Sequence, residues 1–397
     1  MDHDIEWLFE EVYKIKKSGK EIQFISDWDV NQDESVGFKN LLQHVYNEAN
    51  NNSARYNYSY EQFALKNQII ELLRNNYKLQ LEEVELTITP SATVSLHLVA
   101  QGLVNLGLKR FLIITPAYFS THEVFNKAGC EVFYYHLKDE QNLQINFVEI
   151  ETIIQEQYLE GIILTDPIYC AGIEFIINDY SKLSEICRNN DLYFVVDYSL
   201  GGLSWDITED YTFNSNKISI LKTCEKFIFI DTLSKRLLLN GIKFSIIIGD
   251  ENIIDKIDLI SEFTYGGLSS AQCFLIKELY RAENQKIIST ICQNNIRHSK
   301  DNYNLIKSLL LGSDFYIENT NSGYFSLINH KKFELNSVDT KLYSLNLLEN
   351  EKILCITKDR FTFYSSNKFG FRINLNKKSE QLIIPVKNIL KMNFPYK

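Results

Sequence analysis

The chain contains little proline, no repetitive or Ser/Gly-rich tract and no excess of basic residues. Five Pro in 397 residues, with 45% apolar and 23% charged residues, are typical of an ordered globular protein and exclude a low-complexity chain. The formal net charge is −10. This charge argues against a nucleic acid or an anionic membrane as partner, because phosphates and anionic lipids select basic surfaces. Small molecules or other proteins remain as partners.

Long apolar runs and paired cysteines are also missing. The first 20 residues are acidic and amphipathic and lack the basic start and apolar run of a signal peptide. Runs such as FLII and SIII are too short to cross a bilayer. The seven Cys include no C-x-x-C pair, so neither a disulfide framework nor a zinc site is suggested, and we expect no metal. These features predict a soluble, cytoplasmic protein.

Short β-rich segments alternate with helical stretches between about residues 84 and 250. The segments are continuous apolar runs rather than alternating ones, as expected where helices cover both faces of a sheet. Examples are RFLIIT, LYFVVDYS and KFIFID. The alternation predicts an α/β fold with a largely parallel sheet. Helices over residues 255–311, followed by short strands and a final helix, predict a smaller α+β unit.

Two loops at predicted strand ends bring hydroxyl and charged side chains together. In IDTLSKR, Thr232, Ser234 and Lys235 directly follow the apolar strand FIFI. Asp197 ends the apolar strand of VVDYS, so its carboxylate is expected to be partly desolvated unless a cation meets it. Two alternatives remain. Lys235 could be a solvated charge that closes a strand, and Asp197 could be a plain turn or cap residue.

Two further loops offer an anion site and an aromatic ring. In ITPSATVSLHL, a Ser-Ala-Thr turn at residues 91–93 opens a helix, whose first N–H groups and dipole favour an anion such as a phosphate. The same turn could be a simple helix cap. Tyr118 follows a strand and a Pro-Ala turn, where its ring could lie on a flat group or in the core.

One ligand would satisfy all four loops, namely a flat, phosphorylated heteroaromatic aldehyde with a protonated ring nitrogen. Pyridoxal 5′-phosphate fits this description. Lys235 would form the imine, and Asp197 would hold the ring-nitrogen proton. The turn at residues 91–93, with Thr232 and Ser234, would hold the phosphate.

Six motifs in a fixed order then resemble one family. They are TPSATVSL, PAYFSTHEVFNKAGCEV, LTDPIYCAG, VVDYSLGG, DTLSKRLLLNGIKFS and GFRIN. From about Tyr56 to its end, the chain resembles the class I/II aminotransferases, a group of fold-type-I pyridoxal-phosphate enzymes. The resemblance implies a seven-stranded, mostly parallel sheet in a large cofactor-binding domain over residues 51–285. It also implies an N-terminal arm within residues 1–50, which joins residues 286–397 in a small α+β domain.

The resemblance assigns a role to each site residue. It implies that Lys235 is the Schiff-base lysine and proton shuttle, that Asp197 is the ring-nitrogen partner and that Tyr118 is the stacking ring. Arg372 is similar to the arginine that binds the substrate α-carboxylate, with a structural ion pair as the alternative. Further cofactor contacts are implied for Ser91, Ala92, Thr93, Tyr169, Ser199, Thr232, Ser234 and Lys243.

The family also implies a homodimer with active sites at the interface. Tyr56 looks like the tyrosine that a neighbouring subunit contributes to the phosphate, although Tyr58 or Tyr60 could serve instead. Nothing in the residues alone requires a second copy.

Three positions depart from the family pattern. Tyr169 stands where the family has an asparagine, Lys243 replaces a phosphate-binding arginine, and Leu200 replaces a tyrosine that is found here at Tyr198. Tyrosine can still donate a hydrogen bond, and lysine keeps the charge but loses the bidentate geometry. Such changes alter how strongly the imine holds its proton.

The leading hypothesis is therefore an aminotransferase acting on an L-amino acid and 2-oxo acid pair through Lys235. An alternative keeps the cofactor but makes the chain a lyase, cyclase or decarboxylase in a specialised biosynthetic pathway. A third hypothesis is a non-catalytic aminotransferase-like protein, similar to the aminotransferase-like halves of some transcription regulators. It fits less well, because those regulators carry an N-terminal DNA-binding domain, whereas here only about 55 residues, acidic in balance, precede the resemblance.

Overall fold

The computed structural model describes most of the chain. The described residues are 6–29, 36–54, 59–138, 143–206, 214–334, 338–360 and 368–392. The strands are β1 (Gln23–Phe24), β2 (Leu86–Thr89), β3 (Arg110–Thr115), β4 (Glu131–His136), β5 (Gly161–Thr165), β6 (Tyr193–Asp197), β7 (Phe227–Asp231), β8 (Ser245–Gly249), β9 (Phe315–Ile317), β10 (Phe325–Glu334), β11 (Ile353–Leu354) and β12 (Lys368–Asn374). The helices are α1 (Glu6–Lys17), α2 (Val36–Asn51), α3 (Ser59–Tyr77), α4 (Ala92–Asn105), α5 (Phe119–Ala128), α6 (Phe147–Gln157), α7 (Ile177–Asn189), α8 (Ser215–Leu221), α9 (Leu233–Arg236), α10 (Glu251–Thr264), α11 (Ser270–Leu279), α12 (Gln285–Leu309), α13 (Thr340–Asn346) and α14 (Glu380–Ile389).

A seven-stranded sheet forms the centre of the molecule, in the order β2-β8-β7-β6-β5-β3-β4. Strands β7, β6, β5, β3 and β4 pair in parallel, whereas β8 is antiparallel to both of its neighbours. All residues of β5, β6, β7 and β8 are buried. This burial explains why these strands read as continuous apolar runs in the sequence.

The pleat of the sheet divides its side chains between two cores. Ile228 and Ile230 of β7 pack in the cluster that contains residues of α4 and α10, and Phe229 between them packs in the cluster on the other face. Successive side chains of a strand point to opposite faces. Burial of each such side chain stabilises the fold by roughly 1.5–3 kcal/mol, so both helical layers hold the sheet in place.

The remaining strands form two small sheets. Strands β12, β10 and β9 form an antiparallel sheet, and β1 pairs in parallel with β11. Ile25 lies directly after β1, and its carbonyl accepts a hydrogen bond of 2.8 Å from the N–H of Asn374 in β12. The N-terminal and C-terminal segments are thereby joined.

The predicted fold class is confirmed. Strands occur at ELTIT, RFLIIT, CEVFYYHL, EGIILT, LYFVVD, KFIFID and FSIIIG, and helices occupy most of residues 255–311. The sequence pattern indicated neither the order of the strands nor the reversed direction of β8. The domain boundaries at residues 50 and 285 stay predictions.

Candidate active site

One edge of the large sheet gathers the polar residues that the sequence singles out. Strands β2, β3, β5, β6 and β7 all end at this edge, and the reversed strand β8 begins there. Carboxyl ends of parallel strands are where such sheets carry their binding sites. A cavity of about 310 Å³ lies at the edge. The predicted residues that line it are Ser91, Ala92, Thr93, Tyr118, Tyr169, Asp197, Ser199, Thr232, Ser234, Lys235 and Lys243.

Lys235 lies on α9, the four-residue helix that follows β7. Its Nζ donates a hydrogen bond of 2.8 Å to Oδ1 of Asn240 and lies 4.2 Å from the ring centroid of Trp28. Burial lowers the pKa of this amine to about 8, and the positive charges of Lys243 and Arg372 act in the same direction. A larger fraction of the amine is therefore the nucleophilic free base near neutral pH than for an ordinary lysine.

Asp197 ends β6, the strand next to β7, and is 3% exposed. The backbone N–H of Ser199 donates to its Oδ1 at 3.1 Å, and the Ser199 hydroxyl donates to the same oxygen. Burial raises the pKa of the carboxyl, and the two bonds from Ser199 oppose that rise. A cation in the cavity would offset the desolvation of this carboxylate.

Two tyrosines form one wall of the cavity. The rings of Tyr118 and Tyr169 meet edge to face, with centroids 5.6 Å apart. Nη1 of Arg372 donates to the Tyr169 hydroxyl at 3.1 Å. Burial holds the pKa of Tyr169 well above its usual value, so the phenol keeps its proton.

The loop that carries Tyr169 packs closely on β10. Gly172 in this loop has φ +63°, and a Cβ there would lie 2.5 Å from the carbonyl oxygen of Phe325. Only glycine tolerates both the left-handed backbone and this approach. The glycine of the DPIYCAG motif thus fixes the loop that positions Tyr169.

Tyr198 points away from the cavity. Its hydroxyl donates at 3.1 Å to Oε1 of Glu174, and its ring lies 5.1 Å from Nζ of Lys217. Leu200 lines the cavity instead. Tyr198 therefore does not replace the tyrosine that the family has three residues after the aspartate.

The part of the cavity predicted to bind the phosphate consists of the N-terminus of α4, the hydroxyls of Thr232 and Ser234, and Lys243. Ser91 caps α4, since its Oγ accepts from the N–H of Val94 at 3.3 Å. The hydroxyls of Thr232 and Ser234 lie 2.6 Å apart, and both donate to the carbonyl of Phe244. Each hydroxyl has one proton, so donation to a phosphate requires one of these bonds to be given up. The N-terminus of α4 and the charge of Lys243 need no such exchange.

Arg372 does not line the cavity. It lies on β12, is 2% exposed, and donates through Nε at 3.0 Å and through Nη2 to the carbonyl of Ser26. Its guanidinium also lies 5.3 Å from the ring of Trp28 and 4.4 Å from that of Phe325. Its predicted role in binding a carboxylate stays a prediction, and the indole of Trp28 lies beside it.

Sequence reasoning missed six residues that line the cavity: Trp28, Asp29, Thr165, Leu239, Asn240 and Phe244. Asn240 is five residues after Lys235 in the quoted DTLSKRLLLNGIKFS block, and this nearness in sequence was the available signal. Trp28 and Asp29 lie before the region where the resemblance begins and carried no signal. Tyr56 and Tyr58 lie outside the described residues.

The donor set fits pyridoxal phosphate. A free amine for the aldehyde, a desolvated carboxylate for a protonated ring nitrogen and an anion site on α4 all face one cavity. In the described part of the chain, no group of three or more His, Cys, Asp or Glu side chains could hold a metal ion. No described helix is both long and apolar enough to cross a membrane.

Comparison with known proteins identifies the family. The model of the family "Aminotransferase class I and II" matches residues 27–389, so the chain belongs to this family, whose members depend on pyridoxal phosphate. The predicted family is confirmed.

Individual relatives are distant. An aspartate aminotransferase of Sulfolobus acidocaldarius is 22% identical over 263 residues, which are 65% of this chain and 63% of that protein. One of Bacillus subtilis is 24% identical over 243 residues, 59% of each chain. The chain thus matches less than two thirds of the length of either relative. Substrate-bound BacF from Bacillus subtilis has the same fold, with a TM-score of 0.80, 17% identity, and coverage of 99% of this chain and 95% of that one.

Proposed function

We propose that the chain is a pyridoxal-phosphate-dependent aminotransferase that moves an amino group between an L-amino acid and a 2-oxo acid. One observation carries this proposal. The amine of Lys235, with a pKa of about 8, and the buried carboxylate of Asp197 follow adjacent strands and line one cavity. This pair supplies what an amino-transfer site needs, a covalent anchor that also moves protons and a fixed negative charge.

Each residue has a defined task in this proposal. When bound, the cofactor supplies an aldehyde and an electron-withdrawing ring that acidifies the substrate Cα–H. Lys235 holds the cofactor covalently and then, as a free amine, moves the proton at the substrate Cα. Asp197 keeps the ring nitrogen protonated, Lys243 and the start of α4 hold the phosphate, and Arg372 receives the substrate carboxylate.

An amino-group balance tests the reaction type. The purified chain, loaded with pyridoxal phosphate, is incubated with single amino acids and with 2-oxoglutarate as acceptor, beginning with aspartate because two relatives are aspartate aminotransferases. We expect glutamate to appear in equal amount to the new 2-oxo acid, and no product beyond one per site when the acceptor is left out.

Sustained turnover without an acceptor would contradict amino transfer. Release of ammonia or carbon dioxide under those conditions would instead identify a lyase or decarboxylase that uses the same cofactor. A chain that takes up no cofactor would contradict both.

We also propose a homodimer, formed through an apolar face on α3 and α10. Leu259 and Phe263 are four residues apart on α10 and are 55% and 85% exposed, and Phe63 on α3 is 55% exposed. The Lys66–Asp258 ion pair of 2.7 Å joins the two helices. Exposed apolar patches of this kind are typical of protein interfaces. A second copy is the proposed occupant because α3 begins just after Tyr56, which the family resemblance assigns to a neighbouring subunit's site.

Sedimentation of the chain tests this face. The wild type is expected to sediment as a dimer at micromolar concentration, and Phe263→Asp is expected to dissociate it because a carboxylate would be buried at the interface. A monomeric wild type would contradict the proposal.

A cytoplasmic location and a biosynthetic role are proposals too. The seven free cysteines support the location, which cell fractionation tests.

A further inference from the structure

The stretch Ser26–Asp29 reaches the cavity at Trp28 and Asp29, and the backbone carbonyl of each of its residues accepts a hydrogen bond. Arg372 donates to the carbonyl of Ser26, and Nδ2 of Asn374 donates to those of Asp27 and Asp29 at 3.1 and 2.9 Å. Nδ2 of Asn240 donates to the carbonyl of Trp28 at 2.7 Å. Four consecutive carbonyls thus accept bonds from side chains. The backbone of this stretch is held in one position.

The side chain of Trp28 contacts both Lys235 and Arg372. Its ring centroid lies 4.2 Å from Nζ of Lys235 and 5.3 Å from Cζ of Arg372. Trp28 lines the cavity and Arg372 does not. The indole therefore lies at the cavity wall in contact with the guanidinium, and it gains cation–π attraction from this charge.

A substrate carboxylate that binds Arg372 has to displace the Trp28 indole from the guanidinium. With Arg372 as the carboxylate site, the carboxylate needs an approach in the plane of the guanidinium. Nε and Nη2 donate there to the carbonyl of Ser26, and Nη1 donates to the hydroxyl of Tyr169. The carboxylate therefore takes the Nη1 edge in place of Tyr169, and it needs the space beside the guanidinium that the indole fills. Because the backbone of residues 26–29 is fixed, the change available to Trp28 is a rotation of its side chain, which is fast compared with movement of a segment.

We propose that Trp28 is a specificity-determining residue, which admits a substrate only when its carboxylate displaces the indole from Arg372. This inference rests on the proposed function, and in particular on Arg372 as the carboxylate site. Every carboxylate then binds more weakly than the bare arginine would allow, by about 3- to 30-fold for a cation–π contact of ordinary strength. Substrates with further contacts in the cavity recover this loss, whereas small carboxylates do not.

Binding of an unreactive carboxylate tests the proposal. Propionate has no amino or oxo group, so its calorimetric titration into the cofactor-loaded chain reports binding alone, with the phosphate site already filled. We expect Trp28→Ala to bind propionate about 3- to 30-fold more tightly than the wild type. Trp28→Phe, which keeps a smaller ring, is expected to lie between the two and serves if the alanine variant fails to fold.

A double variant tests whether the additional propionate affinity comes from Arg372 or from another site. In Trp28→Ala combined with Arg372→Lys, the gain in propionate affinity should disappear, because lysine lacks the planar pair of donors. Unchanged or weaker binding by both Trp28 variants would overturn the proposal, as would a gain that persists without Arg372. Failure of the proposed function is recognised separately, because a wild type that retains no pyridoxal phosphate would show it before any propionate is added.

Discussion

Replacing Lys235 with alanine is expected to lower the rate of amino transfer by at least about 10⁴-fold, since proton transfer by a positioned group alone contributes about 10²- to 10⁴-fold and the covalent anchor is lost as well. The phosphate site and Asp197 remain, so the variant should still bind the cofactor, but release it on dialysis. Absorption spectra before and after dialysis, with steady-state rates, measure both effects.

Lys226→Ala is the matched control for this variant. Lys226 lies at the opposite end of β7, where its Nζ pairs with Asp191 at 2.7 Å. Loss of this partly exposed pair is expected to change stability by less than about 1 kcal/mol and to leave the rate unchanged. Substantial residual turnover in Lys235→Ala would mean that another group moves the proton.

The pH dependence of cofactor uptake gives a second measure of Lys235. Only the free base attacks the aldehyde, and the pKa of the amine is lowered to about 8. Uptake should therefore rise about tenfold per pH unit below pH 8 and level off above it. A model amine in the same buffers corrects for ionisation of the cofactor itself. A rise that continues towards pH 10 would contradict a buried, depressed lysine.

Much of this site could be predicted because it depends on local sequence. Buried parallel strands read as apolar runs, and the residues at or just after the end of such a strand lie at the functional edge of the sheet. Asp197 ends β6 and Lys235 lies four residues after the end of β7, so both could be found in this way, and both line the cavity. The direction of Tyr198 also follows from local geometry, because its side chain must point to the face opposite that of its neighbour Asp197.

The remaining parts depend on contacts between distant segments. The bonds between Arg372 and Ser26 join residues 346 positions apart, and no periodicity in the sequence relates them. The place of Trp28 depends on those bonds and on Asn240, 212 positions away. A motif could therefore suggest Arg372 as a carboxylate site, whereas only the packed structure reveals the indole that lies against it.

Replacing Asp197 with asparagine is expected to separate activity from stability. The carboxylate that keeps the ring nitrogen protonated is lost, and the rate should fall by about 10²- to 10³-fold, the usual loss when one preorganised electrostatic partner is removed. Asparagine can still accept both bonds from Ser199, so the local geometry should persist.

Asp197→Asn is expected to lower the rate but not the stability of the fold. Burial raises the pKa of Asp197 in the folded chain, so the stability linked to its protonation is complete below the unfolded pKa and is lost as the pH rises through the folded pKa. Above the folded pKa the ionised carboxylate therefore disfavours folding, and there the cofactor-free asparagine variant should melt at the same temperature as the wild type or higher. Calorimetry of the cofactor-free chain measures this shift.

Asp250→Asn provides the matched control. Asp250 follows β8 at the edge of the sheet opposite the cavity, and burial also raises its pKa. Asp250→Asn also removes a desolvated carboxylate, but it should leave the rate unaltered because Asp250 lies away from the cavity. If both variants kept full activity, the carboxylate of Asp197 would have no part in the reaction. A fall in rate confined to Asp197→Asn, with the melting temperature maintained, would mean that the chain retains a desolvated charge at this strand end for catalysis, at the expense of stability.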